Sequence, residues 1–140
     1  MISIDCARAL ADAGLRWRPV SGDAFRIERS GFEIDVFTVS DMTIEPHEFD
    51  TGTILGFNGT TEWALDSLAL EDALWLPRED QLRGLLRSTF RSLTRMGEDS
   101  YRVLVELAGT DESHDAADPA DAYALALPRL IRLSGDDPFS

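Results

Sequence analysis

Residues 101–107, YRVLVEL, constrain the fold of this chain more than any other segment. Polar and apolar side chains alternate along them, and Val103 and Val105 favour the extended backbone of a β-strand. The residues just before, GEDS at 97–100, are typical of a tight turn. We therefore expect a strand at this position and a sheet in the fold.

The segment that leads into this turn allows two interpretations. Its apolar residues keep helical spacing; they are Leu82, Leu85, Leu86, Phe90 and Leu93. One long helix over 78–95 is therefore possible. The alternative is a break near Ser88 and Thr89, after which residues 90–96 form a hairpin with 101–107. We favour the hairpin, because its second arm has so clear a strand pattern.

Helices are expected at both ends of the chain. Ser3 can cap a helix of apolar residues at helical spacing, and Gly14 supplies its end. Asp118 followed by Pro119 is a strong start signal, and a broad apolar face continues to residue 133. We therefore predict an N-terminal and a C-terminal helix.

Short elements fill the middle of the chain. Strands are expected as a hairpin over 25–28 and 32–39 and as two arms within 42–57, where Pro46 favours a sheet edge. A short helix is expected over 62–68, before the helix near 78. The predicted fold is therefore α+β: a single domain over 1–134 with a mainly antiparallel β-sheet, an N-terminal helix, two short central helices and a C-terminal helix. Residues 135–140 are expected to be a frayed tail.

Residues 75–82, WLPREDQL, predict the start of the second central helix in one of two registers. If Arg78 is the N-cap, Gln81 can complete half of a capping box. If Leu76 is the cap, the following proline takes its favoured first helical position. Neither register requires an indole, so an exposed Trp75 would mark the edge of a contact surface.

The net charge of this protein limits the kinds of partner that it can bind. The 140 residues include 26 acidic and 13 basic ones, every basic residue is arginine, and the net charge is −13. Such a charge repels phosphate, so we expect neither nucleic-acid binding nor docking on an anionic membrane. Charges at Asp5, Arg8 and Asp12 interrupt any signal-peptide pattern, and the lone Cys6 has no cysteine to pair with. These features predict a soluble, cytoplasmic protein.

Five arginines form a basic island between two acidic stretches: Arg78, Arg83, Arg87, Arg91 and Arg95. The last four of them, with Trp75, are the candidate interaction residues. The island could meet an acidic patch of a second copy, giving a homodimer. The acidic surface could instead bind a basic protein partner.

Known catalytic motifs are missing from this sequence. It has no phosphate-binding loop, no Gly-rich dinucleotide motif, no nucleophile elbow and no lysine. We therefore lean towards a non-enzymatic protein without a cofactor. A cluster of carboxylates around one histidine supports an alternative function, which is a metal site or a small enzyme. The members of this cluster are Glu45, His47, Glu48 and Asp50, and His114 could assist them.

Four separated stretches resemble a family of short actinobacterial proteins of unknown function, whose members often carry the name of a pilus-assembly ATPase. They are VSDMTIE at 39–45, GFNGTTEWALDS at 56–67, LWLPREDQL at 74–82 and DPADAYALAL at 118–127. A looser likeness links the third to short bacterial and prophage proteins with a WLP segment followed by Gln-Leu. The ATPase name implies nucleotide chemistry, for which this chain lacks the lysine and the Gly-rich loop. We therefore expect an uncharacterised interaction or regulatory module.

Overall fold

The structure is a computed structural model that describes residues 1–28, 36–39, 44–49, 52–57, 67–69 and 72–134. The helices are α1 (Ile4–Ala13), α2 (Glu79–Leu86) and α3 (Pro119–Ser134), with a short 3₁₀ helix at Arg87–Thr89. The first six strands are β1 (Ala24–Ile27), β2 (Val36–Thr38), β3 (Ile44–Phe49), β4 (Gly52–Phe57), β5 (Ser67–Ala69) and β6 (Ala73–Leu76). Three more follow α2: β7 (Phe90–Gly97), β8 (Ser100–Leu107) and β9 (Thr110–Ala116).

These elements confirm the predicted α+β class with antiparallel strands. The strands form three sheets, in the orders β2-β1-β6, β3-β4-β5 and β7-β8-β9. The elements separate into two compact units, one of Met1–Arg16 with Pro77–Ser140 and one of Trp17–Leu76. The single domain over 1–134 stays a prediction, and the tail at 135–140 lies outside the described residues.

Helix α3 is the centre of the first unit. It packs against α1 and α2 and against strands β8 and β9. Four of its buried residues are alanines, which let neighbouring backbones approach closely; they are Ala120, Ala122, Ala124 and Ala126. The larger Tyr123 is 1% exposed and contacts the ring of Phe90 at a centroid distance of 5.7 Å. This aromatic pair joins α3 to the start of β7.

The terminal helices begin and end as their sequence signals predict. The Ser3 hydroxyl accepts a hydrogen bond from the Cys6 amide at 3.2 Å, and Gly14 ends α1 with a φ of 111°. Asp118 accepts from the Ala120 amide at 2.8 Å, at the start of α3. Each cap satisfies a backbone group that the helix itself leaves unpaired.

Helix α2 uses the first of the two predicted registers. Arg78 is the N-cap, and its amide donates to the Gln81 side chain at 2.9 Å. The helix stops at Leu86, where Arg87 takes a φ of 53°. The Thr89 hydroxyl then donates to the Leu86 carbonyl at 2.6 Å. The predicted break near Ser88 and Thr89 is therefore confirmed, and a strand follows it.

Two β-bulges explain why β7 has helical spacing in its sequence. The register pairs Phe90 with Val105 but Ser92 with Leu104, so one residue of β7 is extra. A second extra residue lies between Arg95 and Gly97. Each bulge shifts the alternation of side chains by one position. Phe90 and Leu93, three residues apart, therefore lie on the same face of the sheet.

Strand β9 lies at Thr110–Ala116, where no strand was predicted from the sequence. Its sequence, TDESHDA, contains residues that are rare in strands. Seven consecutive pairs nevertheless join it to β8, from Leu107 with Thr110 to Tyr101 with Ala116. Ala108 and Gly109 connect the two strands with φ angles of 53° and 80°. Two positive φ values in a two-residue connection are the requirement of a type I′ hairpin.

The second unit contains the other two sheets. Strand β1 pairs with β2 and with β6, which confirms the first predicted hairpin where it is described. Strands β3 and β4 form the second, and β3 with Pro46 lies at the edge of the described sheet. The helix expected over 62–68 lies mostly outside the described residues. Its last two positions, Ser67 and Leu68, belong to β5, where pairing with β4 holds them extended.

A buried carboxylate organises the core of the second unit. Asp23 is 1% exposed, and one of its oxygens accepts from the Trp17 indole at 2.9 Å and from the Val20 amide at 3.2 Å. The Trp17 ring lies 5.2 Å from the ring of Phe25. The tryptophan thus fills the apolar core while its polar atom is satisfied.

Candidate functional site

The sheet of β7, β8 and β9 has one packed face and one open face. On β8 the packed face carries Val103, Val105 and Leu107, all buried. The opposite side of β8 carries Arg102, Leu104 and Glu106. This difference is typical of an antiparallel sheet whose single apolar face packs on helices.

We call the second side the open face and define it by three columns of residues. Strand β7 contributes Arg91, Ser92 and Thr94, β8 contributes Arg102, Leu104 and Glu106, and β9 contributes Asp111, Ser113 and Asp115. The three residues of β9 are all exposed. The open face therefore ends, on its β9 side, in two carboxylates and a hydroxyl.

Ion pairs hold part of the open face in place. Arg102 donates to both carboxylate oxygens of Asp115, at 2.8 and 2.9 Å. This hydrogen bonding, with the charge of Arg102, holds the pKa of the Asp115 carboxyl below its ordinary value. Arg91 reaches Glu106 at 3.1 Å. Neighbouring strands are thus linked by charge as well as by backbone bonds.

One pair on this face is electrostatically unfavourable. Glu106 and Asp111 are directly opposite in the register of β8 and β9. Like charges in that position destabilise a sheet, because the two side chains start only about 5 Å apart. Arg91 relieves the charge of Glu106, but no described ion pair involves Asp111. The β9 end of this row therefore retains negative charge.

Strand β9 also exposes backbone groups at the edge of the sheet. In a two-residue hairpin the flanking pair, here Leu107 and Thr110, exchanges both hydrogen bonds, and such pairs alternate along the ladder. The amides and carbonyls of the intervening residues then point away from β8; these residues are Asp111, Ser113 and Asp115. The same three residues thus present both outward backbone groups and open-face side chains.

The predicted arginine island is divided between α2, its two ends and β7. Arg91 donates to the carbonyls of Ser88 and Phe90 as well as to Glu106. Arg95 donates to the carbonyl of Gly97 at 3.0 Å, across the second bulge. These contacts give Arg91 and Arg95 roles in shaping β7. Arg83 and Arg87 are exposed and make no ion pair with the described residues.

Trp75 lies on β6 directly opposite Phe25 of β1. It is partly buried and packs against the apolar cluster that contains Trp17, Phe25, Ile27 and Val39. This position explains the indole by packing within the second unit. Its predicted role in an interaction stays a prediction.

No family model matches this chain. No curated protein and no solved structure matches it either. The resemblance to short actinobacterial proteins therefore remains a prediction.

The alternative metal cluster is only partly within the described backbone. Glu45, His47 and Glu48 belong to β3, with His47 opposite Ile54, and Asp50 lies outside the described residues. His114 is on β9, opposite Val103, and is partly buried. Among the residues whose side chains the structure describes, no three His, Cys, Asp or Glu form a possible metal site. The metal site therefore stays a prediction.

Two further observations limit the chemistry of the first unit. Burial raises the pKa of the Cys6 thiol, so this cysteine is a poorer nucleophile at neutral pH than a free thiol. Among the described helices, none is long and apolar enough to span a membrane. The open face and the β9 edge are the strongest candidate site.

The residues of this edge do not have a strand pattern, so no strand was predicted there. Aspartate, glutamate and serine favour turns and solvent when considered one at a time. The available signal was the spacing of Ala108 and Gly109 directly after the strand 101–107. Glycine in a two-residue connection favours a hairpin, and a hairpin predicts a strand after it whatever its composition.

Proposed function

We propose that this protein is a non-enzymatic, cytoplasmic protein-interaction module that binds an extended segment of its partner along β9. The observation that carries the proposal is a strand of seven residues in unbroken register at the edge of the described sheet, with Thr110, Asp111, Ser113 and Asp115 exposed. An edge of this kind can accept a further strand through its unpaired amides and carbonyls.

The other edge of the same sheet is less suitable for strand addition. Strand β7 contains two bulges, which leave only Ser92 to Arg95 in regular register. Bulges twist an edge and interrupt its row of donors and acceptors. The comparison favours β9 as the binding edge and β7 as the protected one.

Backbone bonds alone give a modest affinity. Asp111, Ser113 and Asp115 offer three amides and three carbonyls, and each bond contributes about 1 kcal/mol net. The total, about 6 kcal/mol, is comparable with the cost of association, which is at least about 4 kcal/mol. Side-chain contacts must therefore supply the remaining affinity and the choice of partner.

The proposal is tested by replacing the central outward residue. In Ser113→Pro the ring removes an amide that points away from β8, so the ladder within the protein is kept. Ser113→Thr is the matched control, since it retains the amide and suits a strand. Each variant and the wild type would be used to capture partners from native lysate, and near-equal thermal stability would show that the folds are intact.

We expect the wild type and Ser113→Thr to capture the same partner and Ser113→Pro to lose it. Capture of the same partner by all three proteins would show that β9 is not the binding edge. Failure of all three to capture a partner at low salt would also contradict the proposal.

A further inference from the structure

The row pattern of the open face indicates what kind of strand β9 would accept. An added strand would place its side chains directly opposite Asp111, Ser113 and Asp115. The two outer positions of this column are carboxylates and the central one is a hydroxyl. Partner residues opposite the carboxylates are four positions apart and lie on one face of the partner strand.

Both carboxylate rows have a place for a further positive charge. In one row Glu106 and Asp111 are directly opposite each other, and Arg91 in the first bulge of β7 forms an ion pair with Glu106, so negative charge ends the row. A cation beyond Asp111 would restore an alternation of charge. In the other row Arg102 is followed by Asp115, so a cation beyond Asp115 would again alternate.

We infer that β9 selects a basic extended segment that carries arginine or lysine at two positions four residues apart. This inference rests on the proposed function, because it names the partner of that edge. The net charge of −13 acts in the same direction, since it attracts a basic segment from a distance.

A second copy of this chain does not fit the pattern. Pairing β9 with another β9 would bring their carboxylates together. Strand β7 has two arginines four residues apart, but the bulge separates their faces: Arg91 contacts Glu106 on the open face, whereas Arg95 is opposite Tyr101 on the packed face. The partner is therefore a different protein.

A set of synthetic peptides tests the inference on the full chain. The probe is the nonapeptide TVRVTVRVT, whose two arginines and central threonine share one face of a strand. Glutamine and glutamate replace both arginines in two controls, and TVRVTRVVT places its arginines on opposite faces. Binding would be followed by changes in the amide NMR signals at about 0.05 and 0.5 M salt.

We expect the probe to shift the amide signals of Asp111, Ser113 and Asp115 and to bind about tenfold more tightly than the glutamine peptide at low salt. The glutamate peptide should not bind, and the split-face peptide should resemble the glutamine peptide. Asp111→Asn should weaken the probe about threefold, and Ser113→Pro should abolish its binding. High salt should reduce the preference for arginine.

Each contrary outcome has a distinct meaning. If the arginine and glutamine peptides bind equally and Ser113→Pro abolishes both, selection by charge is wrong although strand addition holds. If the probe binds equally to Ser113→Pro, both the inference and the proposed edge are wrong. If light scattering shows self-association that Ser113→Pro prevents, the occupant is a second copy and the inference is wrong.

Discussion

Removal of the Asp23 carboxylate should destabilise the second unit, and the loss of free energy of unfolding can be estimated from the hydrogen bonds that this carboxylate accepts. One oxygen of Asp23 accepts both the Trp17 indole and the Val20 amide. In Asp23→Ala both donors lose their acceptor, and the indole is left in a site where Trp17 is only 9% exposed. Bonds to a charged group contribute about 1.5 to 3 kcal/mol each, so we expect a loss of about 3 kcal/mol or more.

Asp23→Asn is the matched variant. Its amide oxygen can occupy the same place and accept both bonds without the charge, so the expected loss is about 1 kcal/mol. Urea unfolding followed by tryptophan emission is a suitable assay. Trp17 and Trp75 belong to the second unit, and Trp63 lies between them in the sequence, so the emission reports on that unit.

A double-mutant cycle with Trp17→Phe isolates the indole contact. Phenylalanine keeps an aromatic ring beside Phe25 but has no donor, so Asp23→Ala should cost about 1.5 to 3 kcal/mol less in that background. An equal cost in both backgrounds, or a loss below about 1 kcal/mol in the wild type, would refute this account of the core.

Three further predictions concern other elements. Ala108→Asn should raise the free energy of unfolding by about 1 kcal/mol in thermal or urea unfolding, because asparagine tolerates the φ of 53° better than alanine does; Ala117→Asn, at an exposed alanine without that φ, should have no such effect. In Arg102→Gln the pKa of Asp115 should rise towards its ordinary value in an NMR titration, because the arginine hydrogen bonds lower it. A carboxyl group whose pKa is lowered by folding stabilises the folded state at pH values above its unfolded pKa, and this stabilisation is lost as the pH falls through its folded pKa. The wild type should therefore be more stable than Arg102→Gln at neutral pH, and the difference should disappear in acid. An equal difference in stability at acid and neutral pH would contradict this prediction. For the alternative metal site, elemental analysis after dialysis should find metal in the wild type and less in His47→Ala; equal contents would exclude His47 as a ligand.

Helix ends could be predicted because their signals are local. Ser3, Gly14, Asp118 and Pro119 act on backbone groups within a few residues of themselves, and α1 and α3 follow them. The strand pattern of 101–107 was likewise decisive, since its alternation already separates a packed face from an open one. The predicted arginine island was recognisable as a group of charges. The roles of Arg91 and Arg95 in β7 were not, because their acceptors are set by the bulges.

The sequence by itself determined where α1 and α3 begin and that 101–107 is a strand, because caps and alternation depend on neighbours in the chain. For α2 it left two registers, with Leu76 or Arg78 as the N-cap. Only the tertiary structure decided that β7 is a bulged strand and that TDESHDA is β9. A bulge lets apolar residues three apart share one face, so a strand can carry the spacing of a helix. The acidic segment becomes a strand because it forms a full ladder of hydrogen bonds with β8. This pairing depends on where β8 lies in the fold, so it cannot be inferred from the composition of the segment.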